Sequence, residues 1–260
     1  MPTPPMTLGE AVNQNCMRVV RQYIESGADP NASADGLVPL REACFSGNIP
    51  MMKYLLAHGA DPNGRDPDCG QSILESLIWN YRRVDQFSHK IQKLAKKPYT
   101  YDTPANTAVF RRLLRAGADP NLPTDAPRPM FHWAIYQNVK RVVSILIEYG
   151  ADVNGRGSLQ GDETPIMIAA YYADIGIMEK LLKCGADPNA RDEQGHNALF
   201  YVIAGMRHED EIARFELLYR YGIDLHARDK RGDNILQFIS QDGYNKGALA
   251  RWLRRHGVKE

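Results

Sequence analysis

The chain has 260 residues, 43% of them apolar and 24% charged, which is the mixture of a folded globular protein and excludes disordered and fibrous classes. Lys plus Arg is 32 and Asp plus Glu is 31, so a formal charge of +1 supplies no whole-molecule field to draw in a polyanion or an anionic membrane. No apolar run approaches the roughly 18 residues of a spanning helix.

Residues 1–6, Met1-Pro2-Thr3-Pro4-Pro5-Met6, have neither the basic segment nor the apolar core of a secretory signal, so they are expected to be a disordered N-terminus and the chain to be cytoplasmic. A signal-less route of secretion stays open. The cysteines, at 16, 44, 69 and 184, fit a reducing compartment and have no paired metal-ligand spacing. Thr7-Leu8-Gly9-Glu10 has the capping-box pattern that opens a first helix.

From there one phrase recurs. Gly27-Ala28-Asp29-Pro30-Asn31 is repeated letter for letter from Gly59, Gly117 and Gly185, with variants from Gly150 and Gly222 and a remnant at Gly257. These glycines are separated by 32, 58, 33, 35, 37 and 35 residues, so the chain is an array of seven repeats with about 25 extra residues in the third. Stretches such as Leu55-Leu56-Ala57-His58-Gly59 read as a helix that a left-handed glycine closes, and the Asp-Pro-Asn that follows forces a loop. Glu163-Thr164-Pro165-Ile166 then starts the next helix, with threonine at the N-cap and proline at the first helical position. A loop, helix, turn, helix unit of this size is too small for its own core, so the units must stack.

The extra residues, at about 81–103, include Val84, Phe87, Ile91 and Leu94 on one helical stripe. Arg82, Arg83, Lys93, Lys96 and Lys97 lie off that stripe. One reading packs the stripe on a neighbouring helix behind a solvated charged face. The other makes the basic face a dock for an acidic partner, a nucleic acid or an anionic membrane, and Arg251, Arg254 and Arg255 near the end of the chain allow the same reading.

The sequence resembles the ankyrin-repeat family. Its T-P-L-H-x-A phrase is best matched by Thr164-Pro165-Ile166-Met167-Ile168-Ala169, and partly by residues 38–43 and 129–134. Ser72-Ile73-Leu74, Asn197-Ala198-Leu199 and Asn234-Ile235-Leu236 keep the polar cap and the apolar third place. The resemblance implies an all-α ankyrin-repeat solenoid of about seven helix-turn-helix units, a single domain over 7–260 with atypical end repeats, hairpin loops and one helical insertion. It also implies a protein-binding module without catalysis, and assigns His132 to a structural bond with loop backbone.

No phosphate loop, H-E-x-x-H or nucleophile-elbow motif is present. Gly155 to Gly161 follows a glycine-capped helix rather than a strand, and the place in Asp66-Pro67-Asp68-Cys69-Gly70 and beyond where a calcium loop needs Glu is Leu77. No cofactor or metal is therefore expected. Two residues beyond the family phrase, where the resemblance places the concave groove, stand Phe45, Trp79, Tyr136 and Tyr171, with Tyr172 beside the last. Either these rings pack on one another, or they form a partner-binding strip with a rim that includes Leu37, Gln71, Arg128, Glu163 and His196. The corresponding roles are a scaffold or adaptor holding a protein in the groove, or an inhibitor, such as an immunity protein, antitoxin or host-targeting effector, that blocks an enzyme.

Overall fold

The structure is a computed structural model that describes residues 6–34, 36–79, 104–123, 129–157, 162–205, 210–241 and 247–259. The expected helix over 81–103, its apolar stripe and its basic residues Arg82, Arg83, Lys93, Lys96 and Lys97 lie outside the described residues, as does Arg128. The chain divides into an N-terminal body, Met1–Ala126, and a C-terminal body, Pro127–Glu260.

In the N-terminal body the helices are α1 (Leu8–Asn13), α2 (Met17–Glu25), α3 (Pro39–Phe45), α4 (Ile49–Ala57), α5 (73–79 as described) and α6 (Pro104–Arg115). In the C-terminal body they are α7 (Met130–Tyr136), α8 (Lys140–Glu148), α9 (Pro165–Tyr172), α10 (Ile175–Lys183), α11 (Ala198–Ala204), α12 (Glu211–Arg220), α13 (Ile235–Gln241) and α14 (Gly247–Arg255). Each repeat contributes an odd-numbered inner helix and an even-numbered outer one. Inner helices stack on inner helices, α1 on α3 in the first body and α7, α9, α11 and α13 in succession in the second. The hairpins between repeats carry isolated bridges, Ala34 to Leu37, Arg65 to Ser72 and Arg228 to Asn234, and no strand forms among the described residues.

Inner helices such as α9 and α11 are buried because they are apolar all round. In α9, Pro165 through Ala170 are all buried, and in α11 so are Ala198, Leu199, Phe200, Val202 and Ile203. Outer helices bury one stripe, such as Ile177, Met178, Leu181 and Leu182 in α10. Thr7 caps α1 reciprocally with Glu10, as its sequence implies. Thr164 does occupy the N-cap of α9 with extended backbone, but its hydroxyl has no hydrogen-bond partner among the described residues. Its backbone carbonyl accepts from Met167 and Ile168 instead.

All seven phrase glycines lie in the left-handed region, with φ from 78° to 96°. At Gly117 the reason is visible: its N–H donates to Leu114 O, and the N–H of the buried Ala118 donates to Leu113 O, both at 3.1 Å. These two bonds close the exposed carbonyls of α6, and only a positive φ between them lets the chain turn back.

The rest of the phrase is explained by bonds along the loop edge. Each aspartate accepts at Oδ1 from the N–H two residues on, as Asp187 does from Asn189 at 2.8 Å. Four of the asparagines then reach the next repeat within their own body. Asn31 donates to Gly59 O at 3.0 Å and accepts from Asp61 N at 2.7 Å. Asn63 does the same with Gly117 and Asp119, at 3.0 and 2.8 Å. In the C-terminal body Asn154 holds Gly185 and Asp187, and Asn189 holds Gly222 and Asp224. A second ladder comes from the arginine two places further. Arg191 donates to Gly195 O of its own hairpin at 2.9 Å and to Arg228 O of the next at 2.8 Å, and Arg156 donates to Arg191 O at 2.9 Å. Backbone groups that would otherwise stay unpaired in a loop are thereby satisfied across repeats.

One turn departs from the pattern. In the first, second and fourth repeats the inner and outer helices are joined through a left-handed residue, Asn15, Gly47 or Asn138. Between α9 and α10 the connection is Ala173-Asp174, extended at both residues. The end of α9 is closed from outside by Arg214 of α12, only 2% exposed, whose guanidinium donates to Ala173 O at 2.7 Å and to Asp210 Oδ1 at 2.8 Å. Longer contacts at 3.4 Å reach the carbonyls of Ala169 and Ala170.

Candidate partner-binding surface

In the N-terminal body Phe45 ends α3 and is 40% exposed, and the Arg41 guanidinium lies 5.8 Å from its ring centroid. Arg41 is also tied to Glu42 at 3.1 Å and to Asp66, so the cation beside the ring is held in a charge network. Trp79, at the end of the described part of α5, is half-buried. Leu37 and Gln71 are half-buried hairpin residues. Leu37 pairs with Ala34, and the Gln71 carbonyl accepts from Asp66 N at 2.8 Å.

In the C-terminal body three of the expected rings come together. Tyr136 at the end of α7 stacks on Trp133 at 5.0 Å and meets Tyr172 edge-on at 4.6 Å, and Tyr172 meets Tyr171 at 4.2 Å. The three tyrosines are half-buried, whereas Trp133, one turn back, is buried. The cluster spans two consecutive repeats because α7 and α9 are packed neighbours. Two neighbours fix its far side. Arg214 holds the carbonyls at the end of α9, and Gly205 approaches so closely that a Cβ there would lie 3.0 Å from Tyr171 O.

His196 lies in a hairpin with Nδ1 3.3 Å from Asp192 Oδ2 and Nε2 3.8 Å from Asp229 Oδ2, and its ring faces Phe200 at 4.9 Å and Phe238 at 5.5 Å. Asp192 also accepts from the Tyr201 hydroxyl at 2.8 Å. Burial pushes the Asp192 carboxyl up, but bonds from the His196 side chain and N–H and from Tyr201 prevail and hold it below the usual carboxylate range. The Tyr201 phenol is pushed far up, first by burial and then by the Asp192 and Glu163 carboxylates. Glu163, expected on the rim, is only 8% exposed. Its backbone carbonyl accepts from Gly157 N at 2.9 Å and lies 3.1 Å from His132 Nε2, the loop-backbone bond that the family resemblance assigns to this histidine. Asp192, Tyr201, Trp133 and Arg41 were not singled out in the sequence. Asp192 follows an arginine in a charged hairpin, Arg191-Asp192-Glu193, and has no pattern that distinguishes it from a solvated residue.

Among the described residues no group of three or more His, Cys, Asp or Glu is placed to hold a metal ion. No helix among them is long and apolar enough to cross a membrane.

Comparison with known proteins agrees with this architecture. Family models for ankyrin repeats match residues 10–56, as "many copies", and 103–192, as "3 copies". Together they span more than half of the chain. The chain is 35% identical to zebrafish (Danio rerio) neurogenic locus notch homolog protein 1 over 211 residues, 78% of this chain but 7% of that protein. It is 27% identical to the ankyrin repeat protein nuc-2 of Neurospora crassa over 71% of this chain and 18% of that one. The chain thus corresponds to a small fraction of the curated relatives it matches. Among solved structures, the ankyrin repeat domain of Bcl-3 superposes with a TM-score of 0.70 at 20% identity, covering 97% of this chain and 99% of that one. The ankyrin repeat domain of human ASB11 gives 0.65 at 21%, covering 99% and 100%. With phased left-handed glycines, stacked helix pairs and matching family models, the chain belongs to the ankyrin-repeat family.

Proposed function

We propose that the chain is a non-catalytic scaffold or adaptor that holds a protein partner on the concave side of its repeats, with Tyr136, Tyr171 and Tyr172 as the main anchors. Ankyrin repeats are protein–protein interaction modules. The observation that carries the finer reading is the mutual contact of three part-exposed tyrosines at equivalent ends of adjacent inner helices. Tyrosine offers a large, stiff contact area with a polar tip, the composition of interface hot spots. In the N-terminal body Phe45 and Trp79 hold the equivalent places, with Leu37 and Gln71 on the hairpins beside them. His196 supplies a polar neighbour in the C-terminal body.

Capture of the partner with a tagged chain, followed by calorimetric titration against Tyr136→Ala, Tyr171→Ala and Tyr172→Ala, tests the assignment. Each truncation at a hot spot weakens binding by ~2 kcal/mol, about thirtyfold in Kd, with little loss of stability. A loss of about 3–5 kcal/mol in folding with affinity retained per folded molecule identifies the rings as a packing stripe and ends the proposal.

A further inference from the structure

The large hydrophobic side chains that are most exposed among the described residues are not concentrated on the inner helices. Of the four, only Phe45 is there. The others are Ile212 at 40% and Tyr219 at 49% on α12, with Tyr221 at 37% just past its end. Ile212 and Tyr219 are seven residues apart, two helical turns, and so share the solvent face of α12. Next to them α14 presents Trp252, 5.7 Å from Tyr219, and His256, 4.9 Å from it. Tyr219 packs edge-on against the rings of α14, yet it and Ile212 remain exposed on one face of α12.

The charge around the rings is one-sided. Arg220, Arg251 and Arg255 are exposed, and none has a carboxylate within salt-bridge distance among the described residues. Against them stand Glu216, the exposed carboxylate of α12, and Glu179 of α10, which is bridged to Lys183 and also feels the Arg220 charge. The rings themselves discriminate between anionic partners. Trp252 and His256 stack on each other at 3.8 Å, and Tyr219 closes on both edge-first. Phe215 meets Trp252 from below at 5.9 Å. Trp252 and His256 each have one face covered by the other, which narrows the stacking platform open to a nucleic-acid base. The exposed groups here are Tyr219, Tyr221 and the guanidinium side chains of Arg220, Arg251 and Arg255, which suit carboxylates and aliphatic side chains.

We propose that the outer face of α12 and α14 is a second docking site, separate from the concave tyrosine cluster, for an acidic segment of a partner protein. Apolar residues of that segment cover Tyr219 and Ile212, while its carboxylates meet Arg220 and Arg255.

The test uses the full chain and a fluorescein-labelled peptide of glutamate and aspartate around a central Phe-Leu pair, followed by fluorescence anisotropy. The expected result is binding that weakens about tenfold between about 50 and about 300 mM NaCl. The double variant Arg220→Glu/Arg255→Glu loses it, and Tyr219→Ser, at an exposed position that leaves the helix content unchanged by circular dichroism, weakens it about tenfold. Failure of the peptide to bind at low salt overturns the proposal. So does binding that survives both variants, and so does loss of binding in Tyr171→Ala, which would move the peptide to the concave side. Equal or tighter binding of a single-stranded DNA oligonucleotide or of phosphatidylserine vesicles would show a general polyanion surface and would also refute it.

Discussion

Arg214 gives the sharpest test of how this array is held together. Its guanidinium makes two short charge-assisted bonds, to Ala173 O and Asp210 Oδ1. Replacing it with methionine keeps most of the stem volume and deletes both. The Asp210 side chain is 38% exposed, so its carboxylate regains water and contributes little to the loss. Ala173 is buried, and its carbonyl is left without its donor at about 1–3 kcal/mol. The charge removed was itself costly to bury, which offsets part of the rest. The expected net loss for Arg214→Met is therefore about 2 kcal/mol. Arg214→Ala also removes the stem, adding about 0.8 kcal/mol per buried methylene, and comes to about 4 kcal/mol. Arg214→Lys keeps a charge that can serve one carbonyl but not the fork, and falls between wild type and the methionine variant. Urea unfolding followed by far-ultraviolet circular dichroism measures all three, with a melting shift of about 2–4 °C per kcal/mol as a check. If Arg214→Met lies within about 0.5 kcal/mol of wild type, the closure of α9 does not depend on this side chain and the reasoning fails.

Three further outcomes are expected. Gly117→Val loses at least ~1 kcal/mol from backbone strain alone, since a Cβ at Gly117 would meet nothing within 4 Å, and urea unfolding against a matched Gly→Val change at a negative-φ loop glycine checks it. Asn189→Ala deletes the bonds to Gly222 and Asp224, at 2.9 and 2.7 Å, and costs about 1 kcal/mol because water reaches the freed groups; native-state hydrogen exchange at Asp224 should accelerate while exchange in the α9 core does not. The lowered Asp192 carboxyl contributes stability that is present above the ordinary carboxylate range and is lost as pH falls through its lower folded value, so the gap between wild type and Asp192→Asn narrows below about pH 4. The raised Tyr201 phenol acts with the opposite sign, its contribution disappearing as pH rises past about 10, and Tyr201→Phe removes that alkaline dependence in the same titration series.

The helix ends were legible because each is written in adjacent letters. Gly117 after a leucine-rich helix and Thr7 three residues before Glu10 announce local bonds, and both form as read. The asparagine of the repeated phrase reads as a turn former, which is half of its duty. Its other half joins groups 28 to 56 residues apart, and no local pattern encodes a partner at that distance. Arg214 is hidden from the sequence for a related reason. In Arg214-Phe215-Glu216 it has the polar spacing of a solvated helix face, yet it is buried with its guanidinium on the end of α9 in the preceding repeat. For the candidate surface, register alone picked out Tyr136 and Tyr171, but which rings touch depends on helix stacking. Trp133 was passed over because it occupies the variable place of the family phrase, and Glu163 looked like a hairpin tip although it is buried, with its backbone carbonyl held by Gly157 and His132 and its side chain beside Tyr201.

The link between Asn63 and Gly117 spans 54 residues and the one between Asn31 and Gly59 spans 28, yet both donate at 3.0 Å. Loop-edge closure is thus indifferent to how much chain runs between its two ends. In polymer terms the third repeat behaves as a port: once the edge is pinned, each doubling of the intervening length costs only about 0.6 kcal/mol of closure entropy. The loop edge can therefore take up sequence at this point, natural or grafted, while the bonds of Asn63 to Gly117 and Asp119 stay closed.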